Sequence, residues 1–144
     1  MSKLPDDQAK QYHIANASIK SNSLNTTRLG TEAETMACQF LIDQGMQFKN
    51  RNYRTRRGEI DLIMQSSGCL IFVEVKYRKH NSYGTSAESI THRKCQKIIA
   101  AAKEYLVTHG YQEDTCMRFD AVLITPTDNL QSGCTINWIQ NILT

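Results

Sequence analysis

The sequence predicts one α/β domain in which helices flank a mixed sheet. Apolar residues recur at helical spacing over two stretches, one from Thr31 and one from Thr91. Three strand-like runs with short connections lie between them. The last of these, LIFVEVKYR (70–78), is apolar on both faces, as a central strand must be. The order that results is α-β-β-β-α-β with a short tail.

Residues 1–26 are polar, without a sustained period, and are expected to be a flexible amino-terminal arm or weak helix. The domain proper is expected over 27–144. From Thr31, the residues Ala33, Met36, Ala37, Phe40 and Leu41 share one helical face, and Gly45 is a natural stop. MQFKNRNYR then reads as a strand trailing into a basic turn, GEIDLIM (58–64) as a second strand, QSSG as a turn and LIFVEVKYR as a third strand. NSYGTSAES is loop-like. Thr91 caps a helix running to His109, with Gly110 behind it. MRFDAVLIT (117–125) is a fourth strand ended by Pro126, and INWIQNIL closes the core as a short strand or helix. A helix between the third and fourth strands favours parallel pairing and a right-handed crossover.

At 40% hydrophobic and 22% charged, the composition is that of a globular protein. No apolar run approaches the roughly 20 residues of a membrane span. The start holds acids and no apolar core, so no secretory signal is expected and the cytoplasm is the default. Five scattered cysteines form no C-x-x-C pair and no zinc spacing. They are expected to be reduced, mostly buried thiols. Between Lys49 and Lys97 there are eleven basic residues against four acids, whereas from Glu104 onward there are five acids and one arginine. Such a central basic block suits a polyanion, although a solvated face explains charge alone.

Glu74 and Lys76 share one face of the central strand because side chains alternate. Asp61 is similarly embedded between Ile60 and Leu62, and the hairpin can bring it near Glu74. Two carboxylates held together repel unless a cation lies between them, and hard oxygen ligands suit Mg²⁺ or Mn²⁺. With a lysine alongside, this is the equipment for phosphodiester hydrolysis. The plainer alternatives are a strand-end ion pair for Glu74 and Lys76 and a backbone-bonded acid for Asp61.

Several motifs together are similar to the YraN family: G-x-x-x-E-x-x-A-x-x-F-L (Gly30 to Leu41), NYRTRRGEIDLI (Asn52 to Ile63), FVEVKYR (Phe72 to Arg78), Tyr83–Gly84, Arg93–Lys94 and RFD (Arg118 to Asp120). The resemblance spans about Arg28 to Ile142 and implies a restriction-endonuclease-like fold of the PD-(D/E)XK superfamily. By that resemblance Asp61 and Glu74 are metal-binding acids, Lys76 is the catalytic lysine, and Glu34 is an additional acid that also binds metal. Glu34 has a second explanation, since Thr31-x-x-Glu34 is a capping box. Two departures are Ile60, where the superfamily has proline, and Asn141–Ile142 at the carboxyl end.

The expected function is a Mg²⁺- or Mn²⁺-dependent nuclease acting on DNA, branched or damaged structures included. The alternative is a non-catalytic nucleic-acid-binding module of the same fold acting with a partner protein. Arg54, Arg56, Arg57, Arg78 and Lys94 are the expected phosphate contacts, and Tyr53 is a candidate for base stacking. Glu59 is expected to pair with a neighbouring arginine and Arg118 with Asp120. The implied partner is nucleic acid, DNA first, with a homodimer or a protein partner left open and no membrane.

Overall fold

The computed structural model describes residues 9–15, 26–78, 91–127 and 133–143. In chain order its elements are β1 (Ala9–Ala15), α1 (Thr26–Asp43), β2 (Gln47–Arg54), β3 (Glu59–Ser66), β4 (Cys69–Tyr77), α2 (His92–Thr108), β5 (Met117–Pro126) and β6 (Gly133–Ile139). The strands form one sheet in the order β1-β6-β5-β4-β3-β2. Only β4 and β5 run parallel, joined through α2 as expected from the helix between them. The result is the mixed α/β architecture read from the sequence, consistent with a restriction-endonuclease-like core.

Each helix covers one face of the sheet. Ala33, Ala37, Phe40 and Leu41 of α1 pack on Leu62, Met64, Ile71, Val73, Val122 and Ile136. Ile98, Ala101, Ala102 and Tyr105 of α2 pack on Ile60, Ile63, Leu70 and Phe72. Helix α1 ends where Gly45 turns left-handed at φ +97°, with Met46 N–H donating back to the Leu41 carbonyl. Thr91 Oγ1 accepts the Lys94 N–H at 3.2 Å and starts α2. The β3–β4 hairpin closes on Ser67 and Gly68, both at positive φ, as a two-residue turn requires.

Two sequence expectations are corrected. Ala9–Ala15 is not an arm or weak helix: it pairs antiparallel with β6, and Tyr12 sets its ring edge-on to Phe40 at 4.8 Å. The rest of the expected arm lies outside the described residues, as does Tyr83–Gly84. The closing segment, expected as a short strand or helix, is the strand β6 (Gly133–Ile139). Finally, Cys69 and Cys116 are not thiols but a disulfide, because β4 and β5 begin side by side with Leu70 N–H on the Cys116 carbonyl. The 47 residues between them hide this in the sequence.

Candidate active site

The site forms where β3 and β4 part. Their ladder runs from Ser66↔Cys69 to Leu62↔Val73 and stops. Beyond it β4 stays paired with β5 through Tyr77↔Ile124, so only its β3 side opens. Into that opening Asp61 turns its carboxylate, and Oδ2 accepts the Val75 N–H at 2.8 Å. The register of β2 on β3 shifts earlier, between Phe48 and Asn50, and is constant from there past Asp61. Asn52 would lie opposite Asp61, between the pairs Arg51↔Leu62 and Tyr53↔Ile60. Asn52 has φ +53°, a conformation asparagine tolerates better than most residues. Ile60 and Leu62, two apart, fall into the cores under α2 and α1 respectively.

Glu74 stands on the α2 face of β4 and is only 5% exposed. Its Oε1 lies 3.2 Å from Lys94 Nζ and 3.7 Å from Lys76 Nζ. Its Oε2 is buried with no hydrogen-bond partner. Asp61 lies within reach of the Glu74 charge, and its pKa is raised from 3.8 to about 7. Burial is the largest cause, followed by the Glu74 charge. The Val75 N–H opposes the shift, while the Glu34 charge and a hydrogen bond shared with Glu74 add to it.

The remaining predicted residues divide. Glu34 reaches Asp61 through its charge, but its carboxylate is held by Arg51, Nε to Oε2 at 3.3 Å. Arg51 also donates to Thr35 Oγ1 at 2.9 Å and to the Thr31 carbonyl at 2.6 Å, clasping α1 to β2. Helix α1 starts at Thr26, five residues before Thr31, so the capping-box explanation of Glu34 falls. Among the described residues no three His, Cys, Asp or Glu side chains gather as a metal cluster. The acids brought together are the pair Asp61 and Glu74. A pair with an orphaned buried oxygen fits Mg²⁺, which is commonly held by one or two carboxylates and keeps several waters.

The family model for uncharacterised protein family UPF0102 matches residues 33–124. This chain belongs to that family. The match runs from within α1 to β5, so it takes in Glu34, Asp61, Glu74, Lys76 and Lys94 and leaves β1 and β6 outside. A UPF0102 protein of Vibrio parahaemolyticus is 41% identical over 116 residues, covering 81% of this chain and 92% of the relative. One from Saccharophagus degradans is 43% identical over 115 residues, covering 80% and 92%. One from Vibrio vulnificus is 42% identical over 117 residues, covering 81% and 92%. The YraN resemblance is therefore borne out.

Two further expected contact residues are engaged within the fold around this site. Lys94 lies on Glu74, and Tyr53, half-buried, packs edge-on to Tyr105 at 5.2 Å against the α2 core. Arg54 pairs with Glu59 at 3.4 Å on the surface, and Arg56, Arg57 and Arg78 are exposed. Gly58 fixes where the arginine turn sits. A Cβ there would meet the Lys97 carbonyl oxygen at 2.6 Å, so glycine lets this turn lie against the backbone of α2. Arg118 does pair with Asp120, at 2.8 and 2.9 Å. Sequence reasoning missed Arg51, Asn52 and Gly58; asparagine and glycine within strand-like runs were the available signal. Among the described residues no helix is long and apolar enough to cross a membrane.

Proposed function

We propose that this protein is a divalent-metal-dependent nuclease acting on DNA. The observation that carries the reading is the buried Glu74 carboxylate, one oxygen unpartnered beside Asp61 and the other between two lysines. A purely structural acid buried to this degree would have both oxygens satisfied.

In this reading Asp61 and Glu74 would hold Mg²⁺ or Mn²⁺, with Glu34 able to join if Arg51 releases it. Such an ion, when bound, polarises a phosphoryl oxygen and lowers the pKa of water. Lys76, half-buried at the end of β4, orients the attacking water and stabilises negative charge developing on the phosphate. Arg56 and Arg57 on the turn beside α2, with Arg54 and Arg78, hold backbone phosphates. The buried position of Glu74 keeps bulk water from competing for the charges.

The test is cleavage of labelled duplex, branched and single-stranded DNA with Mg²⁺, Mn²⁺ or EDTA. Wild type runs beside Glu74→Gln and Lys76→Met. Metal-dependent cutting that drops by about 100-fold or more in both variants is the expected result. Cutting unaffected by either change would remove the assignment. Salt-sensitive binding without cutting of any substrate would return the non-catalytic binding module.

A further inference from the structure

We infer that Lys94 is a built-in counter-ion that competes with a divalent cation for the Glu74 carboxylate. The inference rests on the metal-site reading and concerns how occupancy of that site is regulated.

Lys94 makes the shorter of the two lysine contacts to Glu74, 3.2 Å against 3.7 Å for Lys76. It also comes from another element, the first turn of α2. That turn contains no acid, and a cation there opposes the positive end of the helix dipole. Lys94 is therefore poorly placed for the helix and well placed for Glu74, whose charge offsets the local cost. Its side chain is 41% exposed, against 4% for that of Glu74. The lysine arm can withdraw into solvent; the carboxylate cannot. Lys76, on the same strand as Glu74, makes the longer contact, and its side chain is less exposed, 31%. An ammonium within contact distance of one carboxylate oxygen lowers the attraction of the acid pair for a second cation. With Lys94 in place, the chain balances its buried charge without metal.

The experiment is calorimetric Mn²⁺ titration of the metal-stripped full-length protein at pH 8, where Asp61 is mostly ionised. Wild type, Lys94→Met, Lys94→Arg and Asp61→Asn are compared. Removing one positive charge next to a divalent ion should tighten Mn²⁺ binding in Lys94→Met by about five- to tenfold after solvent screening. Lys94→Arg should keep the wild-type affinity, and Asp61→Asn should lose uptake. Equal or weaker binding in Lys94→Met, with uptake still lost in Asp61→Asn, would overturn this inference and leave the metal site standing. No uptake by wild type or Lys94→Met would remove both.

Discussion

Val75 gives its backbone N–H to the Asp61 carboxylate at 2.8 Å, at the point where β3 and β4 have stopped pairing. The side chain replaces a strand partner, so the acid that opens the sheet also satisfies part of what the opening exposes. Burial there, and next the Glu74 charge, push the Asp61 pKa up to about 7.

The sign of the resulting pH dependence follows. A folded-state pKa raised from 3.8 to about 7 contributes stability that is fully present below the lower value. It is lost as pH rises through the higher one. In EDTA, Asp61→Asn should therefore be more stable than wild type at pH 8, with the gap closing towards pH 4. Thermal unfolding across that range checks it, and metal uptake by wild type should rise as pH passes through 7.

Asp120 is 0% exposed and accepts from Arg118 twice, from Trp138 Nε1 at 3.0 Å and from Asn141 N–H at 2.9 Å. Asp120→Ala strands all of these donors and should cost about 3–5 kcal/mol in urea unfolding. DNA contacts elsewhere play no part in that loss.

Gly58→Ala places a methyl group against the Lys97 carbonyl. Either the arginine turn or α2 must shift, at about 1–3 kcal/mol. Because the turn carries Arg56 and Arg57, any cleavage activity should fall with it. Unchanged stability and activity would contradict the close approach.

Denatured without reductant, the protein should show three titratable thiols, from Cys38, Cys95 and Cys134. All five cysteines should titrate after reduction. Bridging a separation of 47 residues, the Cys69–Cys116 link should contribute about 3–4 kcal/mol, read as the loss in Cys116→Ser.

Arg56 and Arg57 are exposed at the tip of their turn. Changing both to alanine should leave the unfolding midpoint unaltered. The dependence of duplex DNA binding on salt should become shallower by about two phosphate contacts, measured by fluorescence anisotropy over a salt series.

The order of elements from α1 to β5 was legible because it depends on local periodicity and turn chemistry. Two apolar stripes at helical spacing, a Ser-Gly turn and a strand apolar on both faces are all visible within a short window. Asp61, Glu74 and Lys76 were legible for a related reason, since charged residues inside apolar strands stand out wherever those strands pair. The edge strand Ala9–Ala15 was not, because a polar segment becomes a strand only when β6 supplies the partner. Nor was the disulfide, which depends on the parallel alignment of β4 with β5 across a helix.

By itself the sequence determined the layers, the central strand and the place of Asp61 and Glu74 on adjacent strands. Tertiary structure alone decided the environment of those acids. It set Arg51 on Glu34, Lys94 on Glu74 and Asp61 in the gap between strands. Long side chains choose partners by distance through space, and burial sets the charge an acid can carry; neither is encoded in local spacing.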